Sequence, residues 1–264
     1  MPQFDASTII NLRDLGGIAL VGNSAVRPGL LLRSGQLDRH DPAADPAVAA
    51  LGIRTVVDLR SENERRERPD QLPRGARLIV ADVLAAGAAP GSAAMPARIE
   101  SVLGSPAAAD ERLGGGKAEK LMCESYRAFV TSDAACRAYG RLLTTLAEPD
   151  CGPLLFHCTA GKDRTGWAAT VLLLLLGAEQ ETAEEEYLAV APAVRAAFAP
   201  IVDRFTEAGG DPEIASAIFG VRPGYLAAAL EETHRLYGSV EGYVRVGLGV
   251  PDAAVNRIRA RYVA

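Results

Sequence analysis

His157-Cys158-Thr159-Ala160-Gly161-Lys162-Asp163-Arg164-Thr165-Gly166 stands between a short apolar run, Pro153 to Phe156, and a long one, Trp167 to Leu176. That order predicts a strand, a tight loop, and a helix opened by Thr165 and ended near Gly177. Gly161 lets the loop turn so tightly that its backbone N–H groups point inward, and such a nest binds a tetrahedral oxyanion. The positive end of the helix dipole faces the same point. Arg164 can hold two oxygens of that anion in a bidentate fork, which a lysine could not do. The expected anion-binding residues are therefore Thr159, Ala160, Gly161, Lys162, Asp163 and Arg164. The same positive field favours a thiolate at Cys158 and makes it a nucleophile aimed at phosphorus. His157 is assigned to orienting that cysteine, and the Thr165 hydroxyl to stabilising the thiolate when it leaves again.

Two blander readings compete. A lone cysteine after a strand is most often a buried, inert thiol. The x5-Arg-Thr-Gly continuation, with a strand before and a helix after, weighs against that here. A nucleotide-binding loop fails because Lys162 is followed by Asp163 rather than Ser or Thr, and Phe156 stands where a glycine is required.

The His-Cys-x5-Arg-Thr order resembles the signature loop of the cysteine-dependent protein tyrosine and dual-specificity phosphatases. This copy looks most like the bacterial branch typified by mycobacterial tyrosine phosphatase B. Asn11-Leu12-Arg13-Asp14, Arg27-Pro28-Gly29 through Arg33-Ser34, Leu51-Gly52-Ile53 through Asp58-Leu59-Arg60, and Val221-Arg222 to Leu226 fit the same branch. The resemblance implies a phosphomonoesterase that acts through a cysteinyl-phosphate, with neither metal nor cofactor. Its implied substrates are phosphotyrosine and, more broadly, phosphoserine, phosphothreonine and phosphoinositides, since phosphoinositide phosphatases carry a lysine at the position of Lys162. Rhodanese-like sulfurtransferases also place a cysteine in an anion-binding loop, but without this order. A non-catalytic phosphate-binding module would be the reading if Cys158 or Arg164 were replaced, and both are present. Two carboxylates compete for the general acid: Asp163, where myotubularin lipid phosphatases carry a loop aspartate, and Asp82, which follows a strand like the separate acid loop of tyrosine phosphatases. Asp163 is preferred because the loop fixes its distance to the phosphate.

A chain of 264 residues with 48% hydrophobic content can bury one sizeable core, so one domain over 1–264 is expected. The net charge of −5 and pI of about 5.4, with scattered basic residues, exclude a nucleic-acid footprint. Four cysteines do not suggest a disulfide scaffold, and a catalytic thiolate suits a reducing, cytoplasmic setting. Cys151, if the run between is extended, lies about 20 Å from Cys158 and cannot bridge to it. Met1 to Ile10 has no signal-peptide pattern. Trp167 to Gly177 covers about half a membrane span and reads as a core helix, so no integral membrane segment is expected. The oligomeric state is not written in the sequence.

Along the chain, Ile18 to Val21 and Leu30 to Arg33 read as an antiparallel strand pair. Asn11, Arg13 and Asp14 before them are either a solvated loop or a polar clasp on the active-site loop, and the resemblance favours the clasp. Pro46 to Leu51 reads as a short helix stopped by Gly52, and Ile53 to Leu59 as a central parallel strand. Ser61 to Arg68 reads as an exposed helix start with local ion pairs, without a function. Arg77 to Val80 is a strand that brings Asp82 to its C-terminal end. Leu84 to Lys117, rich in Ala, Gly, Pro and Ser, reads as a mobile insertion. Lys120 to Val130 and Asp133 to Ala147 are helices, with Asp133 as a cap. The stripe of Val194, Phe198, Ile201, Val202 and Phe205 is either ordinary core or, with Pro212 to Phe219, a helical lid over about 190–220. Tyr225 to Tyr237 and Pro251 to Tyr262 are closing helices, and His40 and His234 are expected at the surface. Strands alternating with helices predict an α/β fold with a mainly parallel central sheet flanked by helices.

Overall fold

A computed structural model describes residues 8–41, 43, 45–85 and 105–264. Among the described residues, five strands form the central sheet: β1 (Arg13–Asp14), β4 (Leu31–Ser34), β5 (Thr55–Asp58), β6 (Arg77–Val80) and β7 (Leu154–His157). They lie in the order β1-β4-β7-β5-β6, with β4, β7, β5 and β6 parallel and β1 antiparallel at the edge. Side chains alternate across a strand, and both faces of the inner strands β4, β7 and β5 are covered. Leu32, Val56 and Leu155 face a small cluster with Ile9, Leu12, Leu37, Val48 and Ile53, while Leu31, Val57, Leu154 and Phe156 join the main core. This explains why the inner strands sit in mainly apolar runs, while Arg77 and Leu78 of the edge strand β6 are exposed.

The antiparallel partner of Ala19–Leu20 (β2) is Ser24–Ala25 (β3), not the run at Leu30 to Arg33 that the sequence suggested. Leu31 and Leu32 are both fully buried, so that run belongs inside the parallel sheet beside β7. The two-residue arms of β2 and β3 form a separate ribbon.

The helices described are α1 (Pro46–Ala50), α2 (Glu62–Glu67), α3 (Pro106–Leu113), α4 (Lys117–Thr131), α5 (Asp133–Leu146), α6 (Asp163–Leu176), α7 (Gln180–Leu188), α8 (Ala191–Glu207), α9 (Pro212–Phe219), α10 (Pro223–Tyr237) and α11 (Asp252–Tyr262). A one-turn helix, Val240–Gly242, and a π-turn, Tyr243–Gly247, precede α11. Helix α6 is buried on nearly every side, from Trp167 to Leu176, as its unbroken apolar sequence requires. It ends on Gly177 at φ 101°, with the Ala178 N–H bonded back to the Leu173 carbonyl at 2.9 Å. The cap of α5 is the hydroxyl of Ser132 rather than Asp133, because the helix starts one residue after the serine.

Most of the expected insertion, residues 86–104, lies outside the described residues. Its C-terminal part is a helix: α3 is capped by Ser105 and buries Ala109 and Leu113 against the main core. Gly114 to Gly116 then turn the chain into α4, with Gly115 and Gly116 at positive φ. No helix among the described residues is long and apolar enough to cross a membrane.

Candidate active site

The register β4-β7-β5 aligns Ser34, His157 and Asp58 at the C-terminal end of the sheet. Cys158 follows at once, 2% exposed, and α6 begins at Asp163, two residues before the expected Thr165. Gly161 has φ 69°, and a Cβ there would sit 2.5 Å from the backbone carbonyl of Ser34, so only glycine fits. Among the described residues, no protein acceptor takes the backbone N–H groups of Thr159 to Lys162. The loop is thus a row of donors at the end of a central strand and at the N-terminus of a buried helix.

Arg164 returns toward the start of the loop, with Nη2 3.3 Å from the Thr159 hydroxyl. Its fork is occupied by a residue of the Ser61 to Arg68 run, which reads in sequence as exposed and without a function. Glu64, on α2, accepts from Nη1 and Nη2 at 2.7 Å each. Glu64 also accepts from the Ser61 N–H and hydroxyl at 2.8 and 2.7 Å, a capping box, and from the Thr159 hydroxyl. Ser61-x-x-Glu64 is legible as that capping box; the link across the chain to Arg164 is not. An incoming anion must displace Glu64 from the fork or use the remaining N–H groups of Arg164.

Burial alone would raise the Glu64 carboxyl, yet the Arg164 charge and the bonds from Arg164, Thr159 and Ser61 hold it well below the ordinary carboxylate range. A depressed folded-state pKa contributes stability above the unfolded value of about 4.3, lost as pH falls through the folded value. Glu64→Gln is accordingly expected to lower stability at pH 7 by about 3–5 kcal/mol, because it strands the buried Arg164. In denaturant titrations the gap to the parent should narrow below about pH 4. A gap of the same size at pH 7 and pH 3 would exclude an ionised pair.

His157 is fully buried. Its Nδ1 lies 3.3 Å from the Cys158 carbonyl oxygen, and its Nε2 lies 3.2 Å from Asp70 Oδ2 and 3.9 Å from Asp58 Oδ1. Burial would raise Asp70, but His157 and Arg60 keep it below the ordinary carboxylate range. Asp58, Asp70 and His157 have a metal-like ligand spacing. The Arg60 guanidinium, however, already bridges the two carboxylates, with Nη2 2.8 Å from Asp58 and 2.7 Å from Asp70. A cation thus occupies the place a metal would take, and the group is an ion network that orients His157. The Thr165 hydroxyl is buried with no protein partner among the described residues.

The Lys162 side chain is engaged outside the loop. It is 4% exposed, and its Nζ donates to the carbonyls of Ile218 and Gly220 at 2.9 Å each, with Asp163 Oδ1 at 3.2 Å. It caps the C-terminus of α9, where unpaired carbonyls attract a cation, instead of pointing into the nest. Asp163 pairs with Lys162 rather than Arg164, and its Oδ1 also accepts from the Tyr126 hydroxyl at 3.0 Å, which in turn meets the Tyr187 hydroxyl at 2.8 Å. Asp82 caps: Oδ2 accepts from the Glu62 N–H at 3.0 Å and lies 3.5 Å from Arg65, and Oδ1 accepts from the Leu84 N–H at 2.9 Å.

The N-terminal clasp is buried rather than solvated. Asn11 Nδ2 and Arg33 Nη2 both donate to the Gly161 carbonyl, at 3.1 and 2.7 Å. Arg33 is anchored by Glu186 of α7, whose carboxylate Arg13 shares. Asp14 instead accepts from the N–H groups of Gly16 and Gly29, which shapes the turn. His234 is exposed as expected, but His40 is only 4% exposed, packed beside Thr8 and Asp45, and burial pulls its pKa down. All four cysteines are unbridged, and Cys151 lies 3.2 Å from the Tyr262 hydroxyl.

A model of the tyrosine phosphatase family matches residues 4–264. The chain is 33% identical over 268 residues to the triple specificity protein phosphatase PtpB of Mycobacterium tuberculosis, covering 94% of this chain and 95% of that protein. It is 33% identical over 259 residues to a Cupriavidus necator protein with a provisional tyrosine-protein phosphatase name, covering 97% of this chain and 87% of the relative. A tyrosine-protein phosphatase of Nostoc commune is 26% identical over 248 residues, covering 90% and 76%.

Proposed function

The chain belongs to the tyrosine phosphatase family, and on that premise we propose that it is a phosphomonoester hydrolase working through a cysteinyl-phosphate intermediate. The observation that carries this reading is the loop itself: a nucleophile, a row of amides without protein acceptors among the described residues, and Arg164, at one end of a buried helix. The Cys158 thiolate attacks phosphorus, the ester P–O bond breaks, and Asp163 gives its proton to the departing oxygen. Water then attacks phosphorus and gives a proton to the Asp163 carboxylate, and the S–P bond breaks to restore the thiolate, which the Thr165 hydroxyl stabilises. The amides and Arg164 hold the equatorial charge in both steps.

The substrates proposed are phosphotyrosine, then phosphoserine and phosphothreonine, and phosphoinositides. The words "triple specificity" belong to PtpB and are carried to this chain as part of the proposal. Lys162 can serve a second phosphate of an inositol headgroup only by leaving the Ile218 and Gly220 carbonyls. The test is phosphate release from an aryl phosphate, set against sulfur transfer from thiosulfate to cyanide, followed by a panel of phosphopeptides and phosphoinositides. Sulfur transfer without phosphate release would refute the assignment.

Residues 190–220 are proposed as a lid. In α8 only Val194 and Phe205 of the apolar stripe are buried, while Phe198, Ile201 and Val202 are half-covered and Phe198 stacks on Phe219 of α9 at 4.8 Å. A stripe so incompletely covered supports a surface that opens and closes. Amide exchange is expected to be faster there than in α6 and to slow when an active-site inhibitor binds. Uniform protection, indifferent to inhibitor, would count against a lid.

A further inference from the structure

Asn11 carries two local costs. It is a non-glycine residue at φ 59°, and its buried Oδ1 has no partner among the described residues. Its Nδ2 makes one bond, to the Gly161 carbonyl. Local penalties of this kind persist where function requires them.

The same carbonyl takes a second donor from Arg33, which is fully buried and held by Glu186, itself fully buried, at 2.5 Å. In a trans peptide the C=O and the following N–H point in opposite directions. Two donors pulling the Gly161 carbonyl outward therefore turn the Lys162 N–H toward the concave side of the loop. The hold matters at this peptide because Gly161, which the Ser34 backbone obliges to be glycine, is the loop residue with the greatest conformational freedom. A guanidinium on the carbonyl also polarises the peptide and strengthens its N–H as a donor.

We infer that Asn11 and Arg33 are positioning residues that set the Gly161–Lys162 peptide plane, and so aim the Lys162 N–H at the anion in the nest. This rests on the phosphatase reading. Charge on the equatorial oxygens is held best in the transition state, so a misaimed donor lowers kcat more than it raises KM.

The cleanest variants leave the Arg13–Glu186–Arg33 ion group intact. Asn11→Gly accepts the positive φ and removes the donor; Asn11→Asp keeps the shape but turns an acceptor against the carbonyl. With Arg33 still in place, Asn11→Gly is expected to lose about 10-fold in kcat on an aryl phosphate and about 10-fold in vanadate inhibition, with KM nearly unchanged; Asn11→Asp should lose more. The shift of the Lys162 amide resonance on adding vanadate should shrink in both. Parent-like kcat, vanadate inhibition and Lys162 shift in either folded variant would overturn the inference, as would a change confined to KM. A parent protein that releases no phosphate would instead refute the phosphatase reading, so the two failures are distinct.

Discussion

Cys158→Ser is expected to lower turnover on an aryl phosphate by about 10⁴-fold or more while inorganic phosphate still binds. The loss follows from what surrounds the residue. A serine hydroxyl attacks well only with a base to take its proton, and the one adjacent imidazole is committed elsewhere: Nδ1 of His157 faces a backbone carbonyl and Nε2 faces Asp70. The donors proposed to bind the anion, by contrast, are backbone amides and Arg164, which the substitution leaves in place. Single-turnover phosphate release and calorimetric titration with phosphate separate the two effects. Retained turnover would falsify the cysteinyl-phosphate route, and loss of binding together with turnover would show that the loop had collapsed.

The parts of this arrangement that were legible in the sequence are those set within a few residues. Pro153 to Gly177 reads as strand, loop and helix because both flanks are apolar and Gly161 and Gly177 punctuate them, and each element forms there with boundaries shifted by one or two residues. Partners set across the chain are not legible locally. Leu30 to Arg33 has the composition of a hairpin arm, and only its burial on both faces shows that it is an inner parallel strand. Glu64 looks like one charge among several in Ser61 to Arg68, yet it faces Arg164, 100 residues away. Glu186 is one of three consecutive glutamates, of which it alone is fully buried, because the turn of α7 aims it at Arg13 and Arg33. The place of Lys162 in the loop implies a phosphate contact, but the carbonyl end of α9 competes for its side chain, and no spacing within the loop reveals that helix.

The two carboxylates proposed as general acid are expected to separate by leaving group. Asp163 uses one oxygen: Oδ1 receives Tyr126 and lies beside Lys162, which leaves Oδ2 to carry a proton toward the substrate. On Asp82 both oxygens meet donors, from Glu62 and Arg65 on one side and Leu84 on the other, so a proton there would face groups that are themselves donors. That difference supports Asp163. Proton donation matters more as the leaving group becomes a worse anion, so Asp163→Asn should cost about 10²-fold or more on an alkyl phosphate and far less on a nitrophenyl phosphate. Asp82→Asn should reduce both alike, through a weakened start to α2, where Glu64 meets Arg164. Phosphate affinity measured alongside removes the binding contribution, which Asp163→Asn could alter by loosening Lys162. If Asp163→Asn lowers both substrates equally while Asp82→Asn shows the dependence on leaving group, then Asp82 is the acid and the Tyr126–Asp163 contact serves only to hold the loop against α4.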